Sequence, residues 1–268
     1  RRRQRQMCIR DRYKCKSNFE MKLLSIIIAT YNAGNTLDAC LTSITKQKSS
    51  EIELLIIDGG SSDKTLDIIH SYGDKIDVLI SEPDKGIYDA WNKGISHATG
   101  AWIMFIGADD ILVENSLSPY IQYVKQISTQ NYDLITACAY FVDLKGKLIK
   151  KVGEPFSWER EKRNMNISHG STLHNRNLFQ KIGKYSLEYK ICADYELLIR
   201  EGQNLCCAFY NQAVLVFKVG GASFSMECQY ETFRIRKKYH TVPLVINLYL
   251  CLRRMVGIML KSIVYITK

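Results

Sequence analysis

The chain has 268 residues, of which 46% are hydrophobic and 24% are charged, and its formal net charge is +10. This composition is typical of a globular protein with a proper core, and it excludes a disordered or fibrous chain. The charge does not indicate a nucleic-acid-binding protein, because +6 of it lies in residues 1–20 and the rest of the chain carries only +4.

Residues 1–20 are basic and show no apolar periodicity. We predict that they are a non-native or disordered tail and that Met21 is the native start. The nine cysteines include no C-x-x-C pair and no metal-ligand spacing. We therefore expect reduced thiols and a cytoplasmic protein.

From Leu23 onward, short apolar runs alternate with helical patterns. Buried strands are predicted at 23–29, 52–58, 76–81 and 102–107, and helices at 36–47, 64–72, 87–98 and 114–128. The strands are continuously apolar and each is followed by a helix. This pattern predicts an α/β fold with a mostly parallel, Rossmann-like sheet and helices on both faces.

Polar sequences follow all four of these strands: "ATYN", "DGGSSD", "SEPDKG" and "GADD". Ligands of open parallel sheets bind beyond the carboxyl ends of the strands. We therefore expect the functional site where these four sequences meet.

The second half has a different pattern. Residues 132–153 predict two strands turned around Lys145-Gly146, and the charged stretch 154–170 predicts a loop. Residues 175–202 are predicted to be mostly helical, and 213–223 to hold a last strand that ends in a Gly-Gly turn. The predicted catalytic domain spans 21–225.

The segment 226–268 is basic and amphipathic. Arg253 and Arg254 interrupt its apolar stretch, leaving about 11 apolar residues on each side, whereas a membrane-spanning helix needs roughly 20. We predict an amphipathic helical pair. Two alternatives stay open, namely peripheral contact of 231–268 with the inner face of the cell membrane and ordinary packing on the protein.

Motifs of several enzyme classes are absent from the sequence. No phosphate-binding glycine loop follows the first strand, and neither H-E-x-x-H nor G-x-S-x-G occurs. Their absence argues against P-loop NTPases, dinucleotide dehydrogenases, zincins and α/β-hydrolases.

Four blocks in the same order resemble the inverting glycosyltransferase family 2, which has the GT-A fold. They are "SIIIATYN" at 25–32, "LLIIDGGSSDKTLDII" at 54–69, "EPDKGIYDAWNKGISHATGAWIMFIGADD" at 82–110 and "ADYELLIR" at 193–200. The stretch "EPDKGIYDAWNKG" resembles sequences of the subgroup that builds bacterial exopolysaccharides and surface antigens. The resemblance implies transfer of a sugar from a nucleotide donor, with UDP as the expected nucleotide, to a glycan or lipid-linked acceptor.

The resemblance also implies which residues bind the donor. Asp58 would accept the ring N–H of the base, or else it would only cap a helix. The loop of Thr30, Tyr31 and Asn32 would line the base and ribose. The turn of Asp84, Lys85 and Gly86 would pass close to the nucleotide, with Lys85 meeting phosphate or remaining solvated.

The resemblance places Mg²⁺ or Mn²⁺ on Asp109, with Asp110 as a secondary candidate. Carboxylates are the ligands such ions prefer beside phosphates. Because neighbours on a strand point in opposite directions, we expect Asp110 to cap the next helix or hold the loop instead. Gly107 stands where the family often has a further aspartate.

An inverting transfer needs a base for the acceptor hydroxyl. Asp194, at the predicted start of a helix, matches the family's catalytic carboxylate, and the alternative is a helix cap. His169 is a further candidate for contact with phosphate or acceptor. A nucleotidyltransferase and a catalytically degenerate nucleotide-binding scaffold remain as alternative functions.

Overall fold

The structure is a computed structural model that describes residues 22–143, 145–218, 220–221, 223 and 225–266, with side chains up to residue 259. The predictions for residues 1–20 and Met21 lie outside this part. The strands are β1 Leu24–Thr30, β2 Ile52–Asp58, β3 Val78–Ser81, β4 Trp102–Gly107, β5 Ile111–Leu112, β6 Leu134–Val142, β7 Leu148–Val152, β8 Leu173–Asn175 and β9 Cys207–Lys218. The helices are α1 Leu37–Thr45, α2 Thr65–Ser71, α3 Ile87–His97, α4 Leu117–Gln126, α5 Trp158–Glu161, α6 Arg176–Ile182, α7 Ala193–Glu201, α8 Met226–Lys238 and α9 Leu244–Ile266.

All described strands belong to one sheet in the order β3-β2-β1-β4-β8-β6-β9-β5, with β7 paired to β6. Strands β1 to β4 are parallel to one another, which confirms the α/β prediction for the first half. Strand β8 runs antiparallel to both β4 and β6, and β9 lies parallel to β6. The second half therefore extends the same sheet.

Helices cover both faces of the parallel half, as its continuously apolar strands require. On one face, Ile26 and Ile28 of β1 pack in a cluster with α1, α2 and α4. On the other face, Ile27 packs in a cluster with α3 and α7. Because β1 is fully enclosed, its carboxyl end is held rigidly at the edge where the site was expected.

Three elements differ from the sequence prediction. Strand β5 was not predicted, since it has only two residues and is set by pairing with β9. Strand β9 begins at Cys207, six residues before the predicted start, and the polar pair Asn211 and Gln212 hides that extension in the sequence. The stretch 154–170 contains the short helix α5 rather than loop alone.

The prediction of C-terminal amphipathic helices is confirmed, since α8 and α9 cover 226–238 and 244–266, and the stretch around the two arginines is one continuous helix, α9. Arginine is a good helix former, so the two arginines do not break the helix; Arg253 is exposed, and Arg254 is partly buried. The inner face packs on α8 through Asn247 and Cys251, which are buried. As far as Met259, the outer face presents exposed apolar side chains, namely Leu244, Val245, Ile246, Leu248, Tyr249, Leu252, Val256 and Met259.

Of the helices in the described part of the chain, none has the length and apolar character needed to cross a bilayer.

Candidate active site

The register of the parallel strands brings the predicted polar ends together. Thr30 is paired with Asp58 and Asp58 with Ser81, while Ala29 on the other side of β1 is paired with Gly107. The four strand ends therefore form one continuous polar edge, as the sequence predicted.

Asp58 is fully buried at the centre of this edge and is surrounded by donors. The hydroxyls of Thr30 (3.0 Å), Ser61 and Ser81 (2.8 Å) and the backbone N–H groups of Gly60 (3.1 Å) and Ser61 (3.0 Å) all donate to its carboxylate. Burial opposes ionisation, but the hydrogen bonds, led by Ser61, outweigh it and lower the pKa of Asp58. Asp58 therefore holds the 59–61 loop in shape as an ion.

Five donors fill the four or so lone-pair positions of a carboxylate. Direct acceptance of a base N–H by Asp58 stays a prediction, and it requires the Ser61 hydroxyl to rotate away. The alternative of a helix cap does not apply to Asp58, because Asp63 accepts the backbone N–H of Thr65 at the start of α2.

The loop after β1 presents one free aromatic ring. Asn32 has a left-handed backbone (φ 48°) that its side chain stabilises by accepting the N–H of Ser62 at 3.0 Å, and its own N–H donates to Ser61. Between the two anchored residues Thr30 and Asn32, Tyr31 has 67% of its surface exposed. Tyr31 is therefore available for stacking on a planar base, whereas Thr30 is committed to Asp58.

The turn after β3 approaches the β2 loop closely. A Cβ atom on Gly59 would lie 2.6 Å from the Asp84 carboxylate, so a larger residue there would displace the Asp84 side chain. Asp84 also accepts the N–H of Gly86 at 2.8 Å, and Gly86 has φ 116° before α3. Lys85 is exposed next to this turn. The structure thus places Asp84, Lys85 and Gly86 beside the Asp58 loop.

Asp109 and Asp110 follow β4 in different environments. Asp109 is exposed, whereas Asp110 is 6% exposed and accepts the N–H of Gly107 at 3.1 Å. Burial, with the charge of Asp109 as a smaller cause, raises the pKa of Asp110 to about 7. Asp110 holds the loop, and it caps no helix because β5 comes next.

The argument from strand alternation does not apply here, since the chain leaves β4 at Gly107 and turns. A Cβ atom at Gly107 would lie 2.9 Å from Asp109 Oδ1 and 3.1 Å from Asp110 Oδ2, so the two carboxylates approach the same point. One exposed and one buried carboxylate are hard oxygen donors that suit Mg²⁺ or Mn²⁺ beside a diphosphate. The residues fit such an ion only if substrate or water supplies further ligands, since the described residues contain no group of three His, Cys, Asp or Glu able to hold a metal.

Asp194 lies in the first turn of α7 and lines a cavity of about 570 Å³. It is half-buried, and its carboxylate accepts the N–H of Tyr195 (2.8 Å) and lies 3.0 Å from the hydroxyl of Tyr88 on α3. Tyr88 has one proton and a shorter contact (2.6 Å) to the carbonyl of Ile191, so Asp194 receives at most a shared hydrogen bond from it.

Burial raises the pKa of Asp194 from 3.8 to about 6, against the opposing hydrogen bonds of Tyr195 and Tyr88. A carboxylate with this pKa is mostly ionised at neutral pH and yet basic enough to accept a proton from a hydroxyl group. Such a shift at a cavity wall is typical of a general base.

Helix α8 holds the segment before Asp194 in place, and sequence reasoning missed this support. The buried carboxylate of Glu231 accepts three successive backbone N–H groups, those of Lys190 (2.8 Å), Ile191 (2.9 Å) and Cys192 (2.9 Å). Glu231 is separated from them by about 40 residues, so only the tertiary structure reveals the contact. The sequence does not single Glu231 out, because α8 carries a second glutamate, Glu227.

His169 lies away from the cavity. Its ring stacks on Trp91 (5.0 Å) and Phe105 (5.6 Å), and Nε2 contacts the Tyr185 hydroxyl at 2.9 Å. Burial lowers its pKa to about 3, so it is neutral at physiological pH. The contact with phosphate or acceptor that we predicted for His169 stays a prediction, since its ring packs against Trp91 and Phe105 while the residue keeps part of its surface exposed.

Comparison with known sequences gives the class of protein. The profile of the glycosyl transferase family 2 matches residues 25–189, and the chain belongs to this family of glycosyltransferases. The PGL/p-HBAD biosynthesis glycosyltransferase Rv2957 of Mycobacterium tuberculosis is 35% identical over 186 residues, which cover 66% of this chain and 69% of that protein. The uncharacterized glycosyltransferase RP339 of Rickettsia prowazekii is 32% identical over 191 residues, covering 68% of this chain and 59% of that protein.

Solved structures give the same fold. S. aureus TarS 1-349 in complex with UDP-GlcNAc superposes with a TM-score of 0.65 at 15% identity, covering 87% of this chain and 71% of that one. The chain spans 43% of a longer TarS crystal structure. Mannosyltransferase PcManGT from Pyrobaculum calidifontis, in complex with GDP-Man and Mn²⁺, gives 0.61 at 13% identity, covering 90% and 75%. These similarities confirm the GT-A fold.

Proposed function

We propose that the protein transfers a sugar from a UDP-sugar to a hydroxyl group of a glycan or lipid-linked acceptor, with inversion at the anomeric carbon, in cell-surface polysaccharide synthesis. The observation that carries the proposal is Asp194, a half-buried carboxylate with a pKa of about 6 on the wall of a cavity. Asp194 accepts the proton of the acceptor hydroxyl as its oxygen bonds to the anomeric carbon. The bond from that carbon to the diphosphate breaks, and UDP leaves.

The strand-end edge is the proposed donor site. Tyr31 stacks on the base, and the loops shaped by Asp58 and Asp84 border the ribose and diphosphate, with Lys85 as a point charge for phosphate. Asp109, with Asp110 behind it, would hold Mg²⁺ or Mn²⁺, and such an ion would supply positive charge beside the leaving diphosphate. The UDP-GlcNAc complex of TarS and the Mn²⁺ complex of PcManGT support the proposal of a nucleotide-sugar site with a divalent ion.

The cavity beside Asp194 is the proposed acceptor site. Its wall includes residues 164–168 together with Ile191 and Cys192, which precede Asp194. Arg254 of α9 also lines it, half-buried and without a hydrogen bond or ion pair among the contacts of the described residues. Burial lowers the pKa of Arg254, so the site has to stabilise a partly desolvated cation. An acceptor that carries an anionic group, such as the phosphate of a lipid-linked glycan, would stabilise it.

The outer face of α9 is the proposed membrane contact, at the cytoplasmic side. Eight large apolar side chains are exposed there, and Arg253 of the same helix is exposed as well. Apolar insertion and attraction of cations to anionic head groups act together in such a helix. The cysteines of the described part are free thiols, the state expected in a reducing compartment.

Calorimetric titration with UDP, GDP and CDP, followed by a UDP-sugar panel with UDP release as the readout, tests the proposal. We expect UDP to bind most tightly and EDTA to weaken its binding. UDP binding that EDTA leaves unchanged would remove Asp109 from its metal role. Binding without turnover of any UDP-sugar, with water or glycan acceptors, would favour a nucleotide-binding scaffold.

A further inference from the structure

Two thiols lie in contact at the wall of the Asp194 cavity. The Sγ atoms of Cys192 and Cys228 are 3.4 Å apart, and both residues line the cavity together with Asp194. Cys192 is the residue that precedes α7, and Cys228 lies in the first turn of α8. A disulfide bond has a sulfur–sulfur distance of about 2.05 Å, so closure by about 1.3 Å is enough.

We propose that Cys192 and Cys228 form a reversible disulfide on reaction with a peroxide, and that this bond displaces Asp194. The crosslink itself stands on the contact between the two sulfur atoms. Its effect on turnover rests on the proposed function of Asp194.

The two cysteines differ in a way that sets the order of the reaction. Cys228 is half-buried at the cavity, whereas Cys192 is 4% exposed. The hydrogen bond from the Cys192 thiol lowers the pKa of Cys228, which favours thiolate at the accessible sulfur.

Atoms and electrons balance in two displacements. The Cys228 thiolate attacks one peroxide oxygen, the O–O bond breaks, and Cys228 becomes a sulfenic acid as the other oxygen leaves as hydroxide and takes up a proton. Cys192 sulfur then attacks the Cys228 sulfur and displaces the hydroxyl group as water. Hydrogen peroxide is thereby reduced to two waters and the two thiols are oxidised to one disulfide, which thiol reductants reverse.

The position of Cys192 connects the bond to catalysis. Cys192 lies two residues before Asp194, and the Glu231 carboxylate accepts its backbone N–H. A movement of Cys192 is therefore passed on to Asp194 through only two residues of backbone. Drawing its sulfur toward α8 moves the start of α7. Because a displacement of about 1 Å can cost about 100-fold in rate, we expect turnover to fall about 10- to 100-fold.

The test treats the full chain with hydrogen peroxide, alkylates the remaining thiols with iodoacetamide and digests with trypsin without reductant. Mass spectrometry should detect peptides 191–200 and 219–234 joined and lighter by two hydrogens than the separate peptides. UDP release should fall with the appearance of this species and return with dithiothreitol. The exposed Cys206 provides the control, since Cys206→Ser should still crosslink, whereas Cys192→Ser and Cys228→Ser should not.

Peroxide that oxidises Cys206 without joining the two peptides would overturn the proposal. A complete crosslink with unchanged UDP release would overturn its effect on Asp194. If the untreated chain releases no UDP from any donor, the proposed function fails instead, and the mass measurement still decides the crosslink.

Discussion

Replacing Asp194 with Asn separates a catalytic carboxylate from a structural one, because the two roles predict opposite changes in stability. The asparagine oxygen can still accept from Tyr195 and Tyr88, and its amide faces the cavity. What the variant removes is the cost of an ion at a partly desolvated position.

The size of that cost follows from the pKa. Folding raises the pKa of Asp194 from 3.8 to about 6, so the folded state holds the extra proton between these values and loses stability as the pH rises through them. A shift of about two pH units corresponds to about 3 kcal/mol, and discounting for the remaining exposure leaves about 1–2 kcal/mol. Above pH 6 the variant should therefore unfold about 2–6 °C higher than the parent, and at pH 4 the difference should vanish.

Turnover should change in the other direction. Loss of a general base lowers kcat by about 100- to 10,000-fold, and kcat/KM of the parent should rise tenfold per pH unit up to about pH 6. Differential scanning fluorimetry and UDP release measure both quantities on one sample. Asp67→Asn is the matched control, as another first-turn carboxylate but an exposed one on α2, and it should keep its turnover and gain no stability. An Asp194→Asn protein that is less stable at every pH and still turns over would refute the reasoning.

Three further changes test the surrounding structure. Glu231→Gln leaves at least one of the three buried or partly buried N–H groups of 190–192 unpaired, so the free energy of unfolding should fall by about 1–3 kcal/mol, with kcat affected more than KM. Unaltered stability by urea unfolding would show that Glu231 does not hold this segment. Gly107→Asp adds a carboxylate where two already meet, so in EDTA its melting temperature should lie below that of the uncharged control Gly107→Ala. Mn²⁺ should remove this difference in melting temperature. Equal melting temperatures of the two variants would argue against a shared cation site. Leu252→Asp on α9 should lower cosedimentation with vesicles containing anionic phosphatidylglycerol several-fold. Leu148→Asp, at a similarly exposed leucine on β7, should leave cosedimentation unchanged. An equal loss of cosedimentation in both variants would show that α9 is not the membrane contact.

The parallel half of the fold could be predicted because its signals are local. Each strand is a continuous apolar run, each is followed by turn residues, and the parallel topology then forces the strand ends together. The placement of Asp58, Asp84 and Asp109 along one edge follows from these facts alone, as does the position of Asp194 at a helix start.

What could not be predicted depends on residues distant in sequence. Glu231 reaches the 190–192 backbone, and Cys228 touches Cys192, only after α8 packs against α7. The saturation of Asp58 depends on Ser81 of a neighbouring strand, and the aromatic packing of His169 depends on rings from α3 and β4. The hydrophobic periodicity of a sequence does not reveal such contacts, because each contact forms between two secondary-structure elements and depends on how they pack together.

The anomeric configuration of the sugar released from a UDP-sugar tests the central claim most directly. Proton NMR during turnover of an α-linked donor, with water or a glycan as acceptor, should show UDP and the β-anomer rising together in the parent and neither in Asp194→Asn. Initial appearance of the α-anomer, or UDP release by Asp194→Asn at the rate of the parent, would contradict a single inverting displacement with Asp194 as the base.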